Sequence, residues 1–358
     1  MIVERVGIVL PDLGGGGVQR VLVNLAGGLA ARGREVVVCT LEDRAVATAL
    51  PDGVRHRPLA GRGRIGAVGR LREVVAAERL DALVGGITRA NLALLMAARR
   101  PVRTLVTKHL PVDMLASNAV RRRVLGAVIR HAYARADAVV AVSQGTFDSL
   151  VALGLPGDRL HRIANPVLGP DLERRCAAPV DDAWLAPGAP PVVVAVGRLV
   201  PQKDFATLVR AFAHVRRRAS ARLLFLGDGP DRAALARQAA ELGLEEHVRF
   251  AGHVPDVLPY LARAAVFAST SRWEGLPTAL IEALAAGASV VATDCRTGPR
   301  EILEDGALGA LVPVGDAEAV AAALLGALAA PDPAPRDRLR RYDVGVATEA
   351  YLQVLEAS

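Results

Sequence analysis

Residues 265–293 read AVFASTSRWEGLPTALIEALAAGASVVAT. The runs at Ala265–Ala268 and Ser289–Thr293 are short, apolar and partly β-branched, which is typical of buried parallel strands. Between them, Pro277 marks the start of a helix that the pattern predicts over Thr278–Ala286. A strand, a helix and a second strand at this spacing predict a βαβ unit of a parallel sheet.

The same alternation fills the rest of the chain and divides into two series. The first series has predicted strands at Val6–Leu10, Glu35–Leu41, Ala82–Gly85, Arg103–Thr107 and Ala138–Val142. The second has predicted strands at Val192–Gly197, Arg222–Gly227, Val248–Ala251, Ala265–Ala268 and Ser289–Thr293. A proline-rich stretch without periodicity, Gly169–Pro191, separates the two series and predicts a linker, because proline removes backbone donors and restricts its neighbours.

We therefore predict an α/β fold of two doubly wound, Rossmann-like domains that face each other across a cleft. The predicted boundaries are 1–168 for the N-terminal domain, 169–190 for the linker and 191–335 for the C-terminal domain, followed by a helical segment at 336–358 that packs back toward the N-terminal domain. Ligands of such folds bind beyond the carboxyl ends of the strands, so the loops there should hold the chemistry.

The composition limits the classes of protein to which the chain can belong. Its 358 residues suffice for two cores, and 52% hydrophobic with 23% charged residues excludes intrinsic disorder as the main state. Charge-free runs such as Ala319–Ala330 fall short of the roughly 20 apolar residues that span a bilayer. The N-terminal apolar run is too short for a secretory signal, and Cys39, Cys176 and Cys295 lack metal-ligand or disulfide spacing. We expect a cytoplasmic protein.

The formal net charge is +7, from 44 Lys and Arg against 37 Asp and Glu. This excess favours an acidic partner, which can be nucleic acid, an anionic membrane or a phosphorylated small molecule. With 3% aromatic residues and scattered basic ones, no interleaved platform for nucleic acid is visible. One predicted helix interleaves apolar residues with Arg121, Arg122, Arg123 and Arg130, which favours an anionic membrane face, although a solvated face of an Arg-rich protein explains them equally.

A glycine-rich loop, PDLGGGG at 11–17, follows the first predicted strand. Its last glycines, Gly16 and Gly17, permit close backbone approach, and the helix that follows offers free N–H groups to an anion. A flexible turn between strand and helix explains the same residues.

Two loops of the second series hold further candidates. Gly197, Arg198 and Lys203 follow its first strand, and two cations at the carboxyl end of a strand suit a diphosphate. The sequence Gly-Asp-Gly-Pro at 227–230, which includes Gly229, predicts mainly a tight turn and a helix start.

The loop that ends at Pro277 is the most informative. Glu274 lies within it, and Gly275 and Leu276 bring backbone N–H groups to the start of a helix, which favours an anion. Glu282 interrupts an otherwise apolar helix face, and a buried carboxylate needs hydrogen-bond donors. A pair of ligand hydroxyls would supply them, and a neighbouring arginine is the structural alternative.

These motifs together resemble those of the retaining glycosyltransferases of family four, also called group one, which have the GT-B fold. The resemblance rests on the glycine-rich turn, on Gly197-Arg198-Leu199 with Gln202-Lys203-Asp204, on Gly227-x-Gly229-Pro230, and on Glu274-Gly275-Leu276-Pro277 with Glu282. It covers nearly the whole chain, and the two glutamates in their Gly-Leu-Pro context are its most specific part.

The resemblance implies an enzyme that moves a sugar, with retention, from a UDP- or GDP-linked sugar to a glycan or a lipid-linked acceptor. It implies an acceptor-side N-terminal domain and a C-terminal domain that binds the nucleotide sugar. It assigns the catalytic residues as Arg198, Lys203, Glu274 and His109. It assigns contacts with the nucleotide sugar to Gly16, Gly17, Gly197, Arg198, Lys203, Gly229, Val254, Glu274, Gly275, Leu276 and Glu282.

Each implied role follows the chemistry of the side chain. Arg198 and Lys203 would neutralise the diphosphate, and Glu282 would accept hydrogen bonds from the ribose hydroxyls. Glu274 would hold a hydroxyl of the transferred sugar, with His109 beside that sugar and Val254 near the base.

The sequence departs from the family pattern at two positions. Gln19 stands where the family usually has glutamate, which puts the acceptor contacts in doubt, and Ser289 stands where it usually has proline. No Asp-x-Asp metal motif is apparent, so we expect metal-independent catalysis without a cofactor besides the nucleotide sugar, in which Arg198 and Lys203 perform the electrostatic task of Mg²⁺.

Two other classes of function remain as alternatives. A sugar-nucleotide epimerase or a phosphorylase can have the same architecture, but the epimerase is expected to lack the two-glutamate motif and the phosphorylase needs a pyridoxal lysine. A basic nucleic-acid-binding protein would explain the charge alone.

Overall fold

The computed structural model describes residues 2–42, 48–59, 63–114 and 118–357. The chain divides into two compact units. Unit 1 comprises Met1–Gly169 and Arg341–Ser358, and unit 2 comprises Pro170–Arg340.

Unit 1 has a seven-stranded parallel sheet among its described residues. Its strands are β1 (Arg5–Leu10), β2 (Glu35–Thr40), β3 (Val54–Pro58), β4 (Ala82–Gly85), β5 (Arg103–Lys108), β6 (Ala138–Ala141) and β7 (Leu160–Arg162), in the order β3-β2-β1-β4-β5-β6-β7. Its helices are α1 (Gly17–Ala30), α2 (Gly63–Ala77), α3 (Thr88–Ala97), α4 (Ala119–Tyr133), α5 (Gln144–Ala152) and α13 (Val344–Glu356). Along β1, Ile8 and Leu10 enter one core and Val9 enters the other, because side chains alternate across a strand.

Unit 2 has a six-stranded parallel sheet. Its strands are β8 (Val192–Val196), β9 (Arg222–Leu226), β10 (Val248–Gly252), β11 (Val266–Ser269), β12 (Ser289–Thr293) and β13 (Ala310–Val312), in the order β10-β9-β8-β11-β12-β13. Its helices are α6 (Leu172–Cys176), α7 (Phe205–Arg216), α8 (Arg232–Glu241), α9 (Leu258–Leu261), α10 (Thr278–Ala286), α11 (Pro299–Ile302) and α12 (Ala317–Ala329). The predicted α/β class with two doubly wound sheets is confirmed.

Three strands, β3, β7 and β13, were not predicted, and each lies at the edge of its sheet. β3 reads VRHRP and is largely exposed, whereas β7 and β13 have three residues each. Edge strands are short and polar because one side faces no partner, so they lack the apolar run that identifies a central strand.

Of the proline-rich stretch predicted as a linker at 169–190, residues 170–190 fold as part of unit 2 and contain α6. The segment predicted to be helical over 336–358 has a break: a 3₁₀ segment at Arg336–Tyr342 precedes α13. Asp343 separates them, since its carboxylate accepts hydrogen bonds from the N–H groups of Gly345 and Val346 and caps α13.

Helix α13 belongs to unit 1 and packs on α1. Tyr351 and Leu355 are buried in the same core as Leu25 of α1. A Cβ at Gly28 of α1 would lie 2.1 Å from the hydroxyl of Thr348, so glycine allows the two helices to approach closely. Among the described residues, every helix is too short or too polar to cross a bilayer.

Candidate active site

The candidate site of unit 2 lies where its strand order reverses. From β8 the sheet extends through β9 to β10 at one edge. The next strand in the chain, β11, pairs with the opposite side of β8. Loops that leave neighbouring strands in opposite directions open a crevice at such a switch point. Lys203 lies in the connection after β8 and Glu274 in the connection after β11, so the topology brings both loops to one edge.

Lys203 and Glu274 form a close ion pair at this edge. The Nζ of Lys203 lies 2.5 Å from Oε1 of Glu274, and the hydroxyl of Ser271 donates to the same oxygen at 2.6 Å. Glu274 is 7% exposed, and these two donors replace the hydrogen bonds with water that its carboxylate loses on burial. Lys203, which was predicted to bind the phosphate, and Glu274, which was predicted to bind the sugar, are thus direct hydrogen-bond partners.

Hydrogen bonds tie the two loops together. The hydroxyl of Thr270 donates to the carbonyl oxygens of Lys203 and Asp204, each at 3.0 Å. Gln202 accepts from the N–H of Arg272 at 2.8 Å, and its side-chain amide donates to the carbonyl of Trp273 at 2.8 Å. These bonds fix the backbone on either side of the ion pair.

The segment before α10 is buried. Glu274, Gly275 and Leu276 are all buried, and the hydroxyl of Thr297 donates to the carbonyl of Glu274. Gly298 has φ 93°, and a Cβ there would lie 2.6 Å from Cδ of Pro277, so this glycine permits the next loop to pack on the start of α10. The predicted helix start at Thr278 matches the structure.

Glu282 lies on α10 and is 4% exposed. Arg175 of α6 lies near it. The pKa of Arg175 is raised mainly by its hydrogen bond to Asp256. The negative charges of Asp256, Asp171 and Glu282 raise it further. Arg175 donates to both oxygens of Asp256, at 2.8 and 2.9 Å. Arg175 therefore lies close enough to Glu282 for their charges to interact, while its hydrogen bonds are made with Asp256.

The loops after β8 and β9 pack backbone against backbone. Gly227 has φ 137°, and a Cβ there would lie 2.1 Å from the carbonyl oxygen of Gly197. A Cβ at Gly229 would lie 2.4 Å from the carbonyl oxygen of Leu199. These contacts give Gly227 and Gly229 a packing role, while the neighbouring Arg198 is exposed.

Val254 is half-buried and lies two residues beyond β10. The same loop contains Asp256, which accepts from the N–H of Leu258 at 3.1 Å as well as from Arg175. The conformation of this loop is therefore set by a helix of the stretch that was predicted as linker.

The glycine-rich loop belongs to unit 1, where Gly16 caps α1 and Gly17 begins it. Asp12 fixes the loop, because its Oδ1 accepts from the N–H of Gly14 at 2.8 Å and from the amide of Gln19 at 3.1 Å. Gln19 is the departure from the family pattern. Its amide donates to Asp12, which a glutamate carboxylate in that place could not do.

His109 also belongs to unit 1, directly after β5, and is 9% exposed. The hydroxyl of Thr107 donates to the carbonyl of Gly85 at 2.8 Å and lies 2.8 Å from Nε2 of His109. Because the hydroxyl has one proton, Nε2 donates and Nδ1 is left as an acceptor. Burial and the charge of Lys108 lower the pKa of His109 to about 3, against a smaller effect of Asn165, so the ring is neutral.

Sequence reasoning overlooked the residues that hold the charged side chains in place. Ser271, Thr270 and Thr297 surround Glu274 and Lys203, and Arg175 holds the loop of Val254. The clustered hydroxyls at 269–271, where a strand ends, were the available signal. Within the described ranges, no group of three or more His, Cys, Asp or Glu side chains has the arrangement of a metal site.

Two family profiles match the chain. Residues 15–168 match "Glycosyltransferase Family 4" and residues 190–330 match "Glycosyl transferases group 1". The lipopolysaccharide core biosynthesis glycosyltransferase LpsE of Rhizobium meliloti is 38% identical over 186 residues, which are 49% of this chain and 53% of that protein.

A second relative is the N-acetylgalactosamine-N,N'-diacetylbacillosaminyl-diphospho-undecaprenol 4-alpha-N-acetylgalactosaminyltransferase of Campylobacter jejuni, 32% identical over 51% of this chain and 48% of that protein. The chain thus spans about half the length of these curated relatives.

Among solved structures, Anabaena HepE in complex with UDP and glucose has a TM-score of 0.81 at 22% identity, covering 99% of this chain and 100% of that one. This likeness supports the two-domain fold. With a family 4 profile on the first half and a group 1 profile on the second, the chain belongs to the group 1, family 4 glycosyltransferases and has their GT-B fold.

Proposed function

We propose that this chain transfers a sugar, with retention of the anomeric configuration, from a nucleotide-diphosphate sugar to a glycan or a lipid-linked acceptor. The observation that carries the proposal is the ion pair of Lys203 with Glu274 at the switch point of the unit 2 sheet, directly before α10. The names of the relatives support it, since one acts in lipopolysaccharide core biosynthesis and one on a diphospho-undecaprenol, and the HepE structure contains UDP and glucose.

In the proposed reaction, the bond between the anomeric carbon and the diphosphate breaks and negative charge develops on the leaving phosphate. Arg198 and Lys203 stabilise that charge, together with the backbone N–H groups of Gly275 and Leu276 at the start of α10. The acceptor oxygen forms the new bond on the same face of the sugar, and its proton passes to the leaving phosphate. No covalent enzyme intermediate is required.

The other site residues position the donor. Glu274 accepts a hydrogen bond from a sugar hydroxyl, and Glu282 accepts from the ribose. In unit 1, the free acceptor Nδ1 of His109 takes a hydroxyl of the transferred sugar. Backbone contacts with the donor are proposed at Gly16, Gly17, Gly197 and Gly229, and a contact with the base at Val254.

We propose that the reaction needs no divalent metal, because two cationic side chains can supply the charge that Mg²⁺ supplies in other sugar transfers. Activity should persist in excess EDTA. Loss of turnover in EDTA, restored by Mg²⁺ or Mn²⁺, would overturn this part of the proposal.

The function is tested by release of nucleoside diphosphate from a panel of UDP- and GDP-sugars, with the anomeric configuration of the product read by NMR. Lys203→Met and Glu282→Ala should each reduce turnover by about a hundredfold. Arg237→Met, which removes an exposed cation from α8, is the matched control and should leave turnover unchanged. Unchanged turnover in either site variant would refute the role of that residue.

The same assay separates the alternatives. An epimerase would convert the nucleotide sugar without releasing nucleoside diphosphate, and a phosphorylase would depend on inorganic phosphate. A nucleic-acid-binding protein would shift random DNA in a salt-dependent manner, and nucleotide sugar would not compete.

A lipid-linked acceptor requires contact with a membrane, and α4 has a face that fits one. Val120, Val124 and Val128 are 70%, 59% and 44% exposed and recur every four residues, so they form one stripe. The exposed side chains beside this stripe include Arg121, Arg122, Arg123 and Arg130. We propose that this face adsorbs to anionic lipid at the cytoplasmic side of the membrane.

Vesicle flotation tests this face. Wild-type protein should float with vesicles that contain anionic lipid and remain in solution with neutral vesicles. Val124→Asp should abolish flotation, whereas Val151→Asp on α5, also an exposed valine, should not. Flotation that ignores lipid charge, or that survives Val124→Asp, would contradict the proposal.

A further inference from the structure

The chain has two lysines, Lys108 and Lys203, among its 44 Lys and Arg residues. Both lie at the carboxyl ends of central parallel strands, Lys108 as the last residue of β5 in unit 1 and Lys203 in the connection after β8 in unit 2. All of the remaining Lys and Arg positions are arginine. An ammonium is compact and turns its donors freely, so a lysine in such a chain indicates a place that a planar guanidinium does not fit.

The two lysines differ in whether a carboxylate lies beside the ammonium group. Lys203 is paired with Glu274. Lys108 is 3% exposed, and this burial lowers its pKa to about 8. Among the residues that the structure describes, no carboxylate opposes this effect. A buried ammonium without an anion is unfavourable, and a bound anion would stabilise it.

The neighbours of Lys108 add unsatisfied polar groups. His109 is adjacent and neutral, and Asn165 lies beside His109. Nδ1 of His109 and Oδ1 of Asn165 are both buried near each other, and within the described part of the chain neither has a hydrogen bond of good geometry. The ammonium of Lys108 and the unsatisfied Oδ1 of Asn165 form a site that takes an anion bearing, or lying beside, a hydroxyl group, and Nδ1 of His109 is left for the transferred sugar.

We propose that Lys108 binds the phosphate or diphosphate group of a phosphorylated acceptor. The proposal rests on the proposed function, in which Arg198 and Lys203 of unit 2 already serve the diphosphate of the donor and unit 1 serves the acceptor. Phosphate is the anion that a compact lysine ammonium binds well as a point charge. The shared chemistry is a phosphate group, and its two sources, acceptor and donor, are separated below.

Lysine-selective ¹³Cε labelling tests the proposal directly, because the full chain gives two lysine signals. In the Lys203→Met variant the single remaining lysine signal is that of Lys108, at its native residue. Inorganic pyrophosphate and geranyl diphosphate, a short prenyl diphosphate, should each shift this signal to saturation. In the wild-type chain, UDP or GDP should shift the Lys203 signal and leave the Lys108 signal in place.

Three results have distinct meanings. If neither pyrophosphate nor geranyl diphosphate moves the Lys108 signal, the ammonium is structural and the proposal is overturned. If UDP or GDP moves Lys108 at the concentrations that move Lys203, the phosphate comes from the donor and the acceptor assignment is overturned. If no nucleotide moves Lys203, the proposed function fails, which is read independently of Lys108.

Steady-state kinetics supply a second readout. Lys108→Met should raise the KM for a phosphorylated acceptor by about tenfold with little change in the KM for the donor. Lys108→Arg should also raise the acceptor KM, because a planar guanidinium presents its donors in a fixed fork and not as a compact point charge. Lys108→Met should melt at or above the wild-type temperature, since it removes a buried charge, and an unchanged acceptor KM in that folded variant would contradict the proposal.

Discussion

Single oxygen atoms of this protein serve several donors, and Glu274 is the clearest case. Its Oε1 accepts from Lys203 and from Ser271 inside a buried loop. The sequence motif pointed to Glu274 and Lys203 by chemistry, but it could not show that they contact each other, because they are 71 positions apart. That contact depends on the placement of β8 beside β11.

Ser271→Ala tests the contribution of the second donor. Loss of this hydrogen bond leaves Glu274 held by Lys203 alone, at a cost of about 1 kcal/mol, so turnover of nucleotide sugar should fall roughly fivefold. Nucleoside diphosphate release measures the effect. Ser220→Ala, at an exposed serine, is the matched control, and equal turnover in the two variants would show that Ser271 plays no part.

His109 predicts a pH dependence of stability. Its pKa is about 3 in the folded chain, against the ordinary histidine value of 6.5 in the unfolded chain. Between these two pH values the unfolded chain therefore binds a proton that the folded chain does not. Stability is lost as pH falls below 6.5, by about 2 kcal/mol at pH 5.

Urea unfolding midpoints at pH 7.5 and pH 5.0 measure this loss. His109→Leu should show a smaller drop between the two pH values than the wild type does. His131→Leu, at an exposed histidine of α4, should show the wild-type drop. Identical drops in all three proteins would mean that His109 takes up its proton in the folded state.

At the scale of elements, the sequence pattern predicted central strands well and edges poorly. The strands β4 and β12 and the helix α10 have the predicted bounds, because apolar runs and a helix-start signal mark them. β3, β7 and β13 carry no such run. The small helix α6 lies in a proline-rich stretch whose order comes from contacts with α9, which a local pattern does not contain.

Two Gly→Ala substitutions test the packing of these elements, one expected to lower the stability and the other to raise it. Gly227→Ala places a Cβ 2.1 Å from the carbonyl oxygen of Gly197 at φ 137°, and should destabilise unit 2 by more than about 2 kcal/mol. Gly326→Ala, inside α12 with open space around it, should stabilise by about 0.5–1 kcal/mol. Thermal melting measures both, and a neutral Gly227→Ala would contradict the described approach of the two loops.

Helix α6 acts on the candidate site through Arg175, which we expect to position the loop of Val254. Arg175→Met removes both hydrogen bonds to Asp256 and should raise the KM for the nucleotide sugar several-fold, with little change in kcat. Arg174→Met, its exposed neighbour, is the matched control. A purely structural role of Arg175 would lower the melting temperature without moving the KM.

At the scale of the whole molecule, the chain forms unit 1, then unit 2, and returns to unit 1 with α13. Composition and periodicity indicated two domains, and a helical segment was predicted at 336–358. The boundary between Arg340 and Arg341 follows from tertiary contacts, with the N–H groups of Val167 and Leu168 bonded to the carbonyl oxygen of Tyr342. No local pattern in the sequence specifies these contacts.

The central claim is that unit 2 holds a nucleoside diphosphate through Lys203 at the edge of β8 and β11. Isothermal titration of UDP and GDP into the wild type, Lys203→Met and Arg237→Met tests it most directly. We predict that one of the two nucleotides binds the wild type and Arg237→Met equally, and binds Lys203→Met at least about tenfold more weakly. Absence of binding by both nucleotides, or equal affinity for Lys203→Met and the wild type, would contradict the account.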